Sequence, residues 1–343
     1  MGRRLICVGP EELAWQTYDQ QPVEGDTVRI RAEFGAAKHG TEMAFYKGYG
    51  VARGNYDPEY GLFRPPTDDK SPYPFSVGNM VVGHVTEVGP EARQLSIGQR
   101  VCAYGGFAET LVVREGNCRV MPSGMAWQSA VCLDPADFAL GAVRDGNVRV
   151  GDAVAVFGLG AIGLMVVQVL KLAGAKPVIG VEPLASRRVI GEMLGADVLL
   201  NPEACDVGLE IKRATGKRGA DVCIEYSGAR SALQHALRGV AYGGTVVMGA
   251  FPPPYGAGLD FGSEAHHNIP RIVFSRACSQ PDRDHPRWDN DRIYDHCWDL
   301  LVAGRLDGEP IVQPIIRFED LLQEYPKIAS RPADYIKLGV RFA

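Results

Sequence analysis

The chain contains eight cysteines, at 7, 102, 118, 132, 205, 223, 278 and 297, yet no Cys-x-x-Cys pair. Scattered singly, they lack the spacing of a dithiol redox motif or a cysteine-rich zinc lobe, and they read as small buried hydrophobes in a reducing compartment. No apolar run approaches the ~20 residues that a membrane helix needs. The start has no signal-peptide core, because Cys7-Val8-Gly9-Pro10 breaks the short apolar stretch after Arg3-Arg4. A cytoplasmic protein without a membrane partner is expected. Charge of either sign is also scarce in excess: a formal −5 spread over 343 residues sets up no field that would recruit nucleic acid. Internal repeats and low-complexity segments are missing.

What is present is an ordinary globular composition, 46% hydrophobic and 22% charged, on a chain long enough for two domains. From Val148 to about Ala277, short apolar runs alternate with helical spacing, the pattern of a parallel sheet with crossover helices. Strands are expected at Ala153–Phe157, Val178–Val181, Val198–Leu200, Val222–Glu225, Thr245–Gly249 and Ile272–Ser275, the number of a doubly wound dinucleotide fold. A helix is expected over Ala161–Ala175, stopping at Gly174. The first 135 residues read instead as short β runs such as Thr27–Ala32, Val81–Val88 and Thr110–Val113, broken by Gly, Pro and aromatic residues. Residues from Pro281 onward, with a helix near Arg292–Ala303 and a strand at Tyr335–Phe342, are too few to fold alone and are expected to complete the first domain. The expected division is therefore 1–135 with 281–343, and 136–280.

The strongest chemical signal is Val154-Ala155-Val156-Phe157-Gly158-Leu159-Gly160-Ala161-Ile162-Gly163, an apolar strand entering Gly-x-Gly-x-x-Gly at a helix start. Gly158 would permit the tight turn, Gly160 the approach of a pyrophosphate, and Gly163 close helix–strand packing, with the helix N-terminus facing the phosphates. Glu182, nineteen residues past Gly163, stands where a carboxylate binds ribose hydroxyls and opposes a 2′-phosphate. This favours NAD(H) over its phosphorylated counterpart. Arg187 and Arg188 bear on the same choice, as phosphate partners or as flanks of the ribose. Leu159, Ala161, Ile162, Arg187, Tyr226, Ser227 and Gly249 join the three glycines and Glu182 as the expected cofactor set. The plainer alternative is an ordinary tight turn beside a solvated carboxylate.

At this point the chain resembles the medium-chain dehydrogenase/reductase family. The resemblance rests on Asn147-Val148-Arg149-Val150-Gly151-Asp152 before the glycine strand, Gly78-x4-Gly83-x5-Gly89, Ser96-Ile97-Gly98-Gln99-Arg100-Val101 and Ile336-Lys337-Leu338-Gly339-Val340. It implies an α/β protein with a GroES-like β-rich catalytic domain built from both chain ends and a Rossmann domain with a doubly wound, six-stranded parallel sheet. It further implies a homodimer or homotetramer, and hydride transfer in a cleft between the domains. The departures are informative. Where zinc-dependent members begin their ligand set with a Cys in a Cys-Gly-Thr-Asp type motif, this chain has His39-Gly40-Thr41-Glu42, and where Gly-His-Glu follows it has Gly78-Asn79-Met80. The third position matches Asp134-Pro135. A catalytic zinc needs about three good N, S or O ligands, so none is expected. The family's cysteine-rich structural lobe is reduced to Cys102 alone.

Without a Lewis acid, a side chain must manage the proton. His39 is the expected general acid/base, with Thr41 as relay and Asn79 and Asp134 orienting substrate hydroxyls; Lys38 and Tyr46 are alternatives. Plainer roles are a structural histidine, a helix cap for Thr41 and a turn residue for Asn79. Tyr46, Tyr49, Tyr56, Tyr60, Phe63 and Tyr73, between Glu42 and Gly78, suit either a sugar or cyclitol ring or subunit packing. His266-His267-Asn268 and Pro286-Arg287-Trp288 with Arg292 are similar to a branch containing sugar and cyclitol dehydrogenases. The expected function is NAD(H)-linked interconversion of a secondary alcohol and a ketone on such a substrate. Zinc-free reduction of an activated C=C bond, epimerisation or elimination through tightly held NAD, and a non-catalytic nucleotide-binding protein are the alternatives.

Overall fold

A computed structural model describes residues 1–65, 72–277, 279–281 and 283–343. The N-terminal part runs β1 (Gly2–Gly9), β2 (Glu12–Tyr18), β3 (Thr27–Ala36), α1 (Thr41–Tyr46), β4 (Asn55–Asp57), β5 (Leu62–Arg64), β6 (Phe75–Ser76), β7 (Met80–Val88), β8 (Arg100–Tyr104), β9 (Thr110–Arg114), β10 (Cys118–Val120) and α2 (Trp127–Ala130). The middle alternates helix and strand: α3 (Leu133–Asp145), β11 (Val154–Phe157), α4 (Ala161–Leu172), β12 (Val178–Val181), α5 (Ala185–Met193), β13 (Val198–Leu200) and α6 (Val207–Ala214). It continues with β14 (Ala220–Glu225), α7 (Arg230–Gly239), β15 (Val240–Met248), α8 (Glu264–Asn268), β16 (Arg271–Phe274) and α9 (Asn290–Val302). The chain closes with β17 (Val312–Arg317), α10 (Leu321–Glu324), α11 (Lys327–Ser330) and β18 (Lys337–Arg341).

Two compact units result, Met1–Val131 with Val312–Ala343, and Cys132–Ile311. The first holds a sheet in the order β10-β8-β7-β3-β18-β17, with β9 also on β3, beside a smaller sheet β2-β1-β6 and the hairpin β4-β5. The C-terminal β18 lies between β3 and β17, pairing antiparallel with β3 and parallel with β17. Val28 and Ile30, two apart on β3, enter one apolar core with Val85 of β7, while Leu5, Phe107, Tyr325 and Leu338 build another.

The second unit is a six-stranded parallel sheet in the order β13-β12-β11-β14-β15-β16. All four residues of β11 and of β12 are buried, as expected for strands covered on both faces. Strand order reverses between β11 and β14, and at such a point the crevice beyond the strand C-termini receives ligands. The boundaries differ from the sequence expectation of 135 and 281. Residues 281–311 stay with the second unit, because α9 buries Ile293, Cys297 and Leu301 and packs on α3. Only from Val312 does the chain rejoin the first unit's sheet.

Candidate active site

Each glycine of the motif meets a distinct requirement. Gly158 has φ +87°, and a Cβ there would lie 2.8 Å from the Ser227 nitrogen. A Cβ on Gly163 would sit 1.9 Å from the Gly158 carbonyl oxygen, so α4 can press on β11 only without one. At Gly160 the nearest atom to such a Cβ is Arg187 Nη1 at 3.9 Å, which leaves open space at the N-cap of α4. An opening lined by backbone N–H groups at a helix N-terminus suits a diphosphate.

Glu182, 3% exposed, follows β12. Its Oε2 accepts the Leu159 N–H at 2.8 Å and its Oε1 the Leu184 N–H at 3.1 Å. Arg187 Nη1 stands 3.9 Å from the same carboxylate, while Arg188 donates to the backbone carbonyls of Glu182 and Pro183. The second arginine is thereby committed to its own helix entry.

Across the sheet reversal, Glu225 ends β14 fully buried. Its Oε1 accepts from Ser227 N at 2.6 Å, Ser227 Oγ at 2.5 Å and Gly228 N at 2.9 Å. Burial raises the carboxyl's pKa, and these donors oppose the rise. The carboxylate shapes the turn whose Ser227 backbone abuts Gly158. Ser227 gives its hydroxyl to Glu225 and accepts from Ala229 N, and Tyr226 donates to the Phe138 carbonyl at 2.9 Å while its ring closes over Gly249. Tyr226, Ser227 and Gly249 therefore form a wall through ring and backbone, with both hydroxyls used internally.

In the first unit the expected residues gather where β3 ends, β7 begins and β18 passes. His39 follows β3, and its Nε2 accepts the Leu338 N–H of β18 at 2.9 Å. Thr41 opens α1. Asn79 precedes β7; its N–H donates to Ala36 and its carbonyl accepts from Gly105, both at 2.9 Å. Its side-chain Nδ2 is buried without a partner among the described residues, a donor awaiting an acceptor.

Two residues missed in the sequence lie among them. Glu42 accepts the Gly78 N–H on Oε1 at 2.5 Å, and the Lys38 N–H at 2.7 Å and the Tyr325 hydroxyl at 3.3 Å on Oε2. Part of Glu42's surface meets solvent, but dense packing around its carboxyl lifts the pKa to about 7 against those donors and the Lys337 charge. Lys337, 2% exposed, donates to the Ala37 carbonyl at 2.9 Å. The available signal was a charged residue inside each of two patterned stretches, His39-Gly40-Thr41-Glu42 and Ile336-Lys337-Leu338.

Other expectations are separated or corrected. Asp134 is buried in the first turn of α3, in the second unit, whereas His39, Thr41 and Asn79 belong to the first. Tyr46 does not serve as a proton carrier: it is 3% exposed in the core, edge-on to Tyr325, and donates to the Glu11 carbonyl. His39, the expected general acid/base, has its Nε2 engaged by the Leu338 N–H. A nitrogen accepting an amide hydrogen cannot hold a proton at once, so the ring is the neutral tautomer with hydrogen on Nδ1. The aromatic stretch divides: Tyr46 and Tyr73 pack with the core, while Tyr56, Tyr60 and Phe63 stand exposed on the β4–β5 hairpin. Residues 66–71, in the same stretch, and Cys278 lie outside the described residues. Trp288 is held between the guanidinium groups of Arg144, 3.7 Å from its ring centre, and Arg292, at 4.2 Å.

The residues at the positions matching zinc ligands do not fit the metal. His39 Nε2 is engaged by Leu338, Asn79 offers an amide, and Met80 is fully buried. Among the described residues, no three His, Cys, Asp or Glu side chains come together as a metal-holding group. None of the described helices is long and apolar enough to cross a membrane.

A parallel sheet in this order, together with a β-rich unit built from both chain ends, defines a class, and the comparisons agree with it. Residues 36–142 match the alcohol dehydrogenase GroES-like domain and residues 161–277 the zinc-binding dehydrogenase domain. The chain belongs to the medium-chain dehydrogenase family, the alcohol dehydrogenase-type oxidoreductases. It is 44% identical over 349 residues to the D-guloside 3-dehydrogenase of Escherichia coli K12, covering 99% of this chain and 100% of that protein. It is 31% identical over 298 residues to the (R,R)-butanediol dehydrogenase of Bacillus subtilis 168, covering 78% of this chain and 81% of that one. The crystal structure of 2R,3R-butanediol dehydrogenase from Bacillus subtilis superposes with a TM-score of 0.78 at 23% identity, over 99% of both chains.

Proposed function

We propose that this protein interconverts a secondary alcohol and a ketone on a glycoside or similar hydroxylated ring, using NAD(H) and no catalytic zinc. The observation that carries the reading is the open Gly160 cradle closed on one side by the buried Glu182 carboxylate. A ribose diol can share that carboxylate, whereas a 2′-phosphate would face its charge, with Arg187 already beside Glu182. The full-length similarity to a D-guloside 3-dehydrogenase supports the substrate class.

A bound nicotinamide would supply the hydride acceptor for the carbinol carbon. The protein's part is to polarise the oxygen and take its proton. His39 presents a neutral Nδ1–H, since Nε2 is occupied. A neutral imidazole serves as a hydrogen-bond donor without exchanging a proton. Asn79 Nδ2 is the second donor. Together these N–H groups stand in for a Lewis acid. In this reading Lys38 is the acid/base group on the path of the alcohol proton, with Thr41 as relay and Asp134 orienting a neighbouring hydroxyl.

The test is NADH formation with a D-guloside and a panel of glycosides and cyclitols, run with NAD and with NADP, together with elemental analysis. Turnover is expected to be at least tenfold better with NAD, with far less than one transition metal per chain and no loss on chelation. A stoichiometric metal whose removal abolishes turnover would refute the zinc-free part, and a preference for NADP would refute the role of Glu182.

A further inference from the structure

The segments carrying His39 and Asn79 both leave the sheet ladder where they matter. Lys38 lies beyond the end of β3, and Gly78 precedes β7 at φ +103°, so neither N–H has a strand partner. Both donate to one side chain, Glu42, Gly78 to Oε1 and Lys38 to Oε2. An ionised carboxylate accepts on both oxygens at once; a glutamine would turn two hydrogens toward one of these donors. The Gly78 turn cannot easily move, because a Cβ on it would already be 2.6 Å from Phe107 N.

We propose that Glu42 is a positioning residue of this reaction, fixing His39 and Asn79 relative to each other by accepting the backbone N–H of the residue before each. The proposal rests on the reading that those two side chains meet the reacting oxygen. The charged and titratable groups bearing on Glu42 are Lys337 from β18 and Tyr325 after α10, with Lys38 and His39 just ahead of its own helix, α1; Tyr46 and Cys7 bear in turn on Tyr325. Its elevated pKa, about 7, lets the grip loosen within the working range, since a protonated oxygen accepts poorly.

The experiment compares wild type with Glu42→Gln and Tyr325→Phe in kcat against pH, with NADH affinity read by fluorescence. In Glu42→Gln, kcat should fall at least tenfold and its acidic limb near pH 7 should disappear, while the Kd for NADH stays within twofold. Tyr325→Phe removes a donor that favours the ionised form and should move the limb to higher pH. A Glu42→Gln enzyme with wild-type kcat and limb, or a limb moved down by Tyr325→Phe, overturns the proposal. Should the substrate panel give no turnover, the reaction reading fails separately, and the clamp is judged by nitrogen-15 spectra of the His39 ring and Asn79 amide. These signals should shift in Glu42→Gln; unmoved signals overturn the proposal. If Glu42→Gln does not fold, Glu42→Asp, charged but one methylene short, replaces it: kcat should fall at least tenfold with the Kd for NADH within twofold and the ring and amide signals should shift, and wild-type kcat with unmoved signals overturns the proposal.

Discussion

Glu182 and Glu42 are carboxylates that the fold surrounds, and they differ in what their donors leave over. Glu182 takes the Leu159 N–H on one oxygen and the Leu184 N–H on the other, and on the proposed reading also receives ribose hydroxyls on the remaining lone pairs. Glu182→Ala should weaken NADH binding at least tenfold, about 1.4 kcal/mol; fluorescence titration with unchanged affinity would sink that role. Glu42 carries a stability signature of opposite sense to an ordinary ion-paired acid. Its folded pKa, about 7, lies above the reference 4.5, so between those values the native state binds more protons than the unfolded chain. Stability should fall as pH rises through that window and level off above it, by at most about 3 kcal/mol. In Glu42→Gln this dependence should vanish, which denaturant midpoints measured below and above the window would show. A midpoint in the wild type that rises across the same interval would contradict the assignment.

Among the elements, the six parallel strands were legible because a strand buried on both faces is a continuous apolar run. β14 and β15 nevertheless start earlier than expected, at Ala220 and Val240, because Asp221 and Tyr242-Gly243-Gly244 interrupt the apolar signal, while Ala220 already pairs with Val240 ahead of a register shift that ends at Val222 and Thr245. The glycine cradle was legible for a related reason: the positive φ at Gly158 and the press of the following helix on Gly163 are local requirements, to which the distant Ser227 backbone only adds. The state of His39 was not, since the amide that fixes its tautomer lies 299 positions away. Nor could identity alone tell the core tyrosines at 46 and 73 from the exposed ones at 56 and 60, which depends on the path of the loop. The placement of α9 failed on tertiary packing against α3. Between α3 and the residue following β16, Ser275 Oγ donates to Asp145 Oδ2 at 2.6 Å, with both side chains buried. Ser275→Ala should cost about 1–3 kcal/mol by depriving a buried carboxylate of a donor, read as a lowered denaturation midpoint; a change below a few tenths would mean that other donors take over.

For the molecule as a whole, a cofactor that binds only the folded second unit must stabilise it. At a hundred times its Kd, NADH should add about 2.7 kcal/mol, seen as a rise in Tm, and NADPH at the same concentration should add less. Equal shifts from the two would remove the discrimination assigned to Glu182.

The place of β18 between β3 and β17 has a consequence for synthesis. A ribosome delivers residues 1–131 long before their central neighbour, and the whole stretch 132–311 emerges in between. The nucleotide-type sheet, contiguous in sequence, is therefore able to mature while the earlier unit still waits with an open seam beside β3. Chaperone occupancy on nascent chains should accordingly concentrate on that first stretch until translation passes Arg341.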